Sequence, residues 1–159
     1  MKKILFIIGS LRAKSFNRQV ANLAKEMIGN RAEVQELDYS DLPLLNQDIE
    51  QPELEVVARI RKEIAEADGL WIFTPEYNMS YPGHLKNLLD WLSRPVKFMD
   101  YGTPTCINSK RVAISGAGSF TFLPFYLLSI PCSQSGTGDG GNGVTNSAFG
   151  VAISEFMPL

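Results

Sequence analysis

Ile4-Leu5-Phe6-Ile7-Ile8-Gly9-Ser10-Leu11-Arg12-Ala13-Lys14-Ser15-Phe16-Asn17 decides the fold. Its first five residues form an unbroken β-prone apolar run, the pattern of a parallel strand covered on both faces. The run stops at Gly9-Ser10. After a short polar loop, Phe16, Val20, Leu23, Ala24, Met27 and Ile28 recur at helical spacing, which predicts one apolar helix face. Ser15 has the chemistry of an N-cap for that helix, and Gly29 that of a stop. A buried strand that passes through a polar loop into an amphipathic helix is the first half of a βαβ unit.

Outward from this stretch the alternation continues. Ala32–Leu37 reads as a weaker second strand, followed by a polar loop with Pro43 and Pro52. Leu54, Val57, Ile60, Ile64 and Ala67 mark a second helix, and Gly69–Phe73 a third strand without polar alternation. Pro82-Gly83 opens a third helix with Leu85, Leu88, Leu89 and Leu92 on one face, and Arg111–Ser115 reads as a fourth strand. Strands and helices in alternation with short connections imply right-handed crossovers and an open parallel sheet with helices on both faces. The 159 residues suit one α/β domain.

The chain changes character after about residue 118. From Val112 onward only Asp139 and Glu155 are charged, of 32 charged residues in all, and six of thirteen glycines fall between Gly136 and Gly150. Residues 1–118 are therefore read as the core and residues 119–159 as an atypical Gly/Ser-rich and apolar segment of the same domain. Pro124 breaks any helix in Phe120–Ile130, and Phe149–Ile153 is the one candidate strand there. The fall in charge points to a frame change, a truncation or a divergent ending. Without a fifth strand, the fourth is expected to form an edge with unpaired backbone groups.

Composition excludes several classes. A net charge of −2 with no basic block argues against nucleic acid as partner. Neither Ile4–Ile8 nor Phe120–Ile130 approaches the ~20 apolar residues of a membrane span. Cys106 and Cys132 are too far apart for a disulfide framework or a CxxC site and fit free thiols in a reducing cytoplasm. No His, Cys or carboxylate cluster has metal-ligand spacing. His84 is the single histidine, and its place beside Pro82-Gly83 favours a surface position at a helix start over a nucleophilic dyad. Trp71 and Trp91 fit core or interface aromatics, and Glu76 and Asp90 make no convincing acid–base pair.

Two loops carry the chemistry. In a parallel α/β sheet, ligands gather beyond the carboxyl ends of the strands, where Gly9–Asn17 lies. A helix N-terminus there offers free N–H groups and a positive dipole end, with Ser10, Ser15 and Asn17 as donors and Arg12 as charge. The second glycine of a Walker loop is missing, as are the later glycines of a dinucleotide fingerprint. A hydroxyl-lined cradle for one terminal phosphate remains. From this loop alone, an anion site and a simple cap beside a solvated arginine both stay open. The second loop, Thr74–Gly83, follows the third strand at the same edge. Pro75 and Pro82 stiffen it, so that its backbone can face a flat polar ring at low ordering cost.

Together these stretches resemble the NADPH-dependent FMN reductase family, the flavodoxin-like group that includes quinone, chromate and azo-dye reductases. The matching pieces are Gly9-Ser10-Leu11-Arg12-x-x-Ser15-x-Asn17-Arg18 and Thr74-Pro75-Glu76-Tyr77-Asn78-x-Ser80-x-Pro82-Gly83-x-Leu85-Lys86-Asn87-x-Leu89-Asp90-Trp91, with Ser93-Arg94-Pro95 beyond. The resemblance covers about residues 1–118. It implies a flavodoxin-like fold and bound FMN, with Ser10, Arg12, Ser15 and Asn17 on the phosphate and Pro75, Glu76, Tyr77 and Asn78 along the isoalloxazine ring. Ser115 and Gly116 would complete the pocket. It also implies NADPH or NADH as electron donor, a small quinone-like acceptor, and a homodimer or homotetramer in the cytoplasm. Because the flavin carries the redox chemistry, no catalytic side chain is expected. The altered ending leaves two other possibilities, an FMN-binding protein with little turnover and a flavodoxin-type electron carrier. The small net charge gives a carrier little steering.

Overall fold

A computed structural model of the chain describes residues 1–97, 100, 102–118 and the backbone of 157–158. Four parallel strands build the sheet: β1 (Lys3–Ile8), β2 (Glu33–Glu36), β3 (Gly69–Phe73) and β4 (Arg111–Ser115). Helices α1 (Phe16–Ile28), α2 (Glu55–Glu66) and α3 (Gly83–Ser93) connect them in turn. The spatial order β2-β1-β3-β4 is that of a flavodoxin-like sheet, as expected. Since β1 steps to β2 in one direction and β2 returns past β1 to β3, right-handed crossovers put α1 on one face and α2 and α3 on the other.

Both faces are packed. Leu5, Ile7, Leu70 and Ile72 meet Ile60 and Ile64 of α2 and Leu85, Leu88 and Leu92 of α3. Phe6, Ile8 and Phe73 meet Ala21 and Ala24 of α1. Burial on both sides explains why β1 and β3 read as continuous apolar runs. Ser15 caps α1 by accepting from the Arg18 N–H at 3.0 Å, and Gly29 ends it at φ 52°.

The apolar face of α1 differs from expectation. The helix buries Asn17, Ala21 and Ala24, while Leu23 and Met27 are 55% and 68% exposed. Two adjacent apolar rows run along this helix. The sheet takes Ala21 and Ala24, whose small side chains permit a close approach, with half-buried Val20 and Ile28 packed beside them, as expected for those two and for Ala24. An Arg18–Glu36 ion pair at 2.7 Å turns the opposite flank toward β2 and holds that rotation.

A two-residue strand, β5 (Met157–Pro158), runs antiparallel to the start of β4, pairing Arg111 with Pro158 and Val112 with Met157. The expectation that β4 forms a bare edge is corrected at those two residues. The rest of the atypical segment, including Phe120–Ile130, Cys132 and the candidate strand Phe149–Ile153, lies outside the described residues. Among the described residues, no helix is long and apolar enough to cross a membrane.

Candidate functional site at the carboxyl edge of the sheet

Ile8, Phe73 and Ser115 lie opposite one another, so β1, β3 and β4 end at one level. The ladder continues one step further. Gly9 N–H donates to Phe73 O at 2.7 Å and Thr74 N–H to Ser115 O at 2.9 Å. Three loops therefore leave the same edge side by side, following β1, β3 and β4. They do so where the chain turns to opposite sides of β1, the position at which open α/β sheets form a crevice.

The first loop is polar yet enclosed. Ser10 and Ser15 are 5% and 3% exposed. The Ser15 hydroxyl accepts the Arg18 N–H and keeps its own hydrogen to donate, while Ser15 N–H closes a turn onto Arg12 O at 3.0 Å. The Ser10 hydroxyl has no partner among the described residues. A hydroxyl left without a protein partner at a loop is a donor available to a ligand. The first turn of α1 contains no acidic residue to offset its positive end. Arg12 stands outside on the rim, with its guanidinium 5.5 Å from the Phe16 ring centroid and donating to Lys14 O at 2.8 Å.

The second loop is braced more tightly than its prolines require. Tyr77 and Ser80 exchange backbone hydrogen bonds of 2.7 and 3.1 Å around Asn78 and Met79, whose φ angles are 52° and 62°. Two left-handed central residues make the turn that matches strand twist. Asn78 takes that conformation readily, whereas Met79 stores strain there. Thr74 and Pro75 are buried, Glu76 is half-buried, and Tyr77 and Asn78 are exposed. Asp90 pairs with Lys86 one helical turn away, apart from this loop.

The third loop begins at buried Ser115, whose hydroxyl accepts from Trp71 Nε1 at 3.0 Å. Gly116 is buried, and Ala117 meets the side chain of Asn17 with both of its backbone groups at 2.9 Å. The structure thus brings Ser10, Ser15, Asn17, Ser115 and Gly116 together, with Arg12 at the rim and Pro75–Asn78 in the neighbouring loop.

Beneath the loops lies a pair that sequence reasoning missed. Tyr39 donates its hydroxyl hydrogen to Ile8 O at 2.7 Å, and His84 stacks on Tyr39 with centroids 6.0 Å apart. His84 is half-buried rather than a surface residue, and its Nε2 is enclosed without a partner among the described residues. Burial pushes its pKa down and pushes the Tyr39 phenol up. Nothing in the sequence linked the two, because Tyr39 sits in an unpatterned loop. Cys106 is half-buried, and desolvation raises its thiol pKa. No group of three or more His, Cys, Asp or Glu among the described residues is placed to hold a metal ion.

The profile of the family described as NADPH-dependent FMN reductase matches residues 2–138. A 2-hydroxy-1,4-benzoquinone reductase from a Burkholderia species is 46% identical over 93 residues, spanning 58% of this chain and 51% of the relative. A quinone reductase of Pseudomonas putida is 38% identical over 136 residues, spanning 82% of this chain and 73% of the relative. The structure of a flavoenzyme NAD(P)H:(acceptor) oxidoreductase from Paracoccus denitrificans superposes with a TM-score of 0.66 at 34% identity, over 73% of this chain and 60% of that one. The chain thus spans between about half and three quarters of the length of these relatives.

Proposed function

The chain belongs to the NADPH-dependent FMN reductase family, and on that premise we propose that it is a flavin-dependent oxidoreductase passing electrons from NADPH or NADH, by way of bound FMN, to a quinone-like or other small acceptor. One observation carries this reading. Three strands end level, and the loops that leave them bring enclosed hydroxyls with free donor capacity to an uncompensated helix N-terminus.

The donor set fits a phosphate monoester. Ser10 and Ser15 donate hydroxyl hydrogens, the first-turn N–H groups of α1 add to them, and Arg12 swings from Lys14 O to contribute its planar fork. A Cβ at Gly9 would lie 2.6 Å from Thr74 Oγ1, so glycine is what lets the first two loops touch. Pro75, Glu76, Tyr77 and Asn78 border the ring with little to order on binding, because the Tyr77–Ser80 turn is already closed. Ser115 and Gly116 border it from the third loop. When bound, FMN supplies the hydride chemistry that no side chain here offers. The residues around it orient the ring and exclude water, and among the described residues they include no activated nucleophile or acid–base pair. The acceptor class follows the two relatives named as quinone reductases. A homodimer or homotetramer, in a cytoplasm that holds reduced nicotinamide nucleotides, completes the proposal.

The test is to reconstitute the purified protein with FMN and mix it anaerobically with NADPH. Bleaching of the flavin band with a quinone-dependent return is expected. Flavin that binds and stays oxidised makes this a binding protein, and no uptake of FMN rejects the site. Arg12→Ala combined with Ser15→Ala should weaken FMN more than riboflavin, since riboflavin lacks the phosphate, and equal losses would refute the phosphate assignment.

A further inference from the structure

Asn17 is the second residue of α1 and is 2% exposed. Its carboxamide Nδ2 donates to Ala117 O at 2.9 Å, and its Oδ1 accepts from Ala117 N–H at 2.9 Å, across 100 residues of sequence. One planar amide meeting one peptide group with both donor and acceptor copies the paired bonds of two facing strand residues. Ala117 presents one donor and one acceptor, and this settles which end of the carboxamide is oxygen.

We propose that Asn17 is a positioning residue that straps the loop after β4 onto the start of α1, holding Ser115-Gly116 where they border the flavin ring; the proposal rests on the FMN reading above. Ser115 is anchored from β3 through Thr74 N–H and Trp71 Nε1. Beyond it, the two bonds to Asn17 are the only hydrogen bonds made by residues 116–118 among the described residues. Gly116 has no side chain to hold it. Without the strap the loop must be ordered each time a ligand binds, and fixing even one residue's backbone is worth about five- to thirtyfold in affinity. The carboxamide has one N–H left over, so a direct bond to phosphate is the rival role.

The two roles differ in which flavin they affect. Apoprotein carrying Asn17→Ala or Asn17→Asp is titrated with FMN and with riboflavin, beside Arg12→Ala as the phosphate-side control. The strap predicts that Asn17→Ala loses both flavins by a similar factor, about fivefold or more, while Arg12→Ala loses FMN and spares riboflavin. Asn17→Asp loses both too, and FMN further at neutral pH, because its carboxylate in the first turn of α1 repels the phosphate. In the Asn17→Asp variant a carboxylate faces Ala117 O, so lowering the pH restores a donor. Part of the riboflavin affinity should then return for Asn17→Asp and none for Asn17→Ala. Loss of FMN alone from Asn17→Ala overturns the strap in favour of direct contact, and loss of neither flavin overturns it outright. Wild-type protein that takes up neither flavin overturns the FMN reading instead. Amide hydrogen exchange then reads the strap by itself: Ala117 N–H should be protected in the wild type and exchange on the order of tenfold faster in Asn17→Ala, which removes its acceptor. An unprotected wild-type amide overturns it.

Discussion

Replacing Gly9 with alanine drives a methyl group into Thr74. The new Cβ would lie 2.6 Å from Thr74 Oγ1, 2.7 Å from Thr74 Cβ and 3.1 Å from Leu85 Cδ2. Carbon atoms pack at about 3.5–4.0 Å, so the first two contacts are short by about 1 Å. Neither side can yield cheaply. Gly9 N–H is bonded to Phe73 O at 2.7 Å, Thr74 N–H to Ser115 O at 2.9 Å, and Thr74 is wholly enclosed. Relief requires breaking a ladder bond or prising the first loop from the second. Overpacking of a tight interior costs about 1–3 kcal/mol, and a lost backbone bond places Gly9→Ala at the upper end. With a urea m-value of about 2 kcal/mol per molar, a loss of about 3 kcal/mol should lower the unfolding midpoint by roughly 1.5 M. Because the displaced loops are those that would hold FMN, affinity should fall in parallel. Thr74→Ala leaves the offending Cβ in place and should rescue little, whereas Thr74→Gly should rescue part of the loss. A Gly9→Ala protein with an unchanged midpoint and unchanged FMN affinity would refute the claim that these loops are locked together.

Three further outcomes are expected. Tyr39→Phe removes the donor to Ile8 O and leaves that carbonyl buried and unpaired, so denaturant melts should show a loss of about 1–2 kcal/mol; no change would mean that water replaces the phenol. For His84 the folded state disfavours the proton, so the unfolded chain binds more protons below its pKa near 6.5. Stability is then fully present above that pH and declines as pH falls through it until the lowered folded pKa is passed. His84→Phe, which keeps a ring against Tyr39, should flatten this limb of a stability–pH curve, and an unchanged slope would place the titration elsewhere. Leu23→Lys and Met27→Lys should each shift stability by no more than about 0.5 kcal/mol, because both side chains stand in solvent; a large loss in either would show that this flank of α1 is covered in solution.

The sequence made the frame legible because doubly covered strands and amphipathic helices leave strong, separable patterns. Gly69–Phe73 and Arg111–Ser115 fall where the apolar runs place them, and Ser15 and Gly29 bound α1 as their cap chemistry requires. The facing of α1 was less legible. Phe16, Leu23 and Met27 form as regular a row as Val20, Ala21, Ala24 and Ile28, and periodicity does not say which row meets the sheet. The choice is tertiary, set by the fit of small residues to β1 and β3 and by Arg18 reaching Glu36. His84 escaped for a similar reason. Its environment is made by Tyr39, and a stack between two loops has no period to read.

The candidate site shows the same division at finer scale. That Ser10, Ser15 and Asn17 belong to one polar loop is plain from residue types, but their different roles emerge only from what each already bonds. Ser15 has an acceptor occupied and a hydrogen free, Ser10 has neither occupied, and Asn17 has both ends of its amide engaged by Ala117. Binding capacity is what remains after the fold has been served. On that criterion the two serines are the groups most available to an anion, and the asparagine is the one most committed to shape. The contacts that hold the three loops at one level all lie between Ile8 and Ala117. The geometry proposed for FMN is therefore set by the part of the chain whose pattern was clearest, and its tests reduce to whether those loops move together or apart.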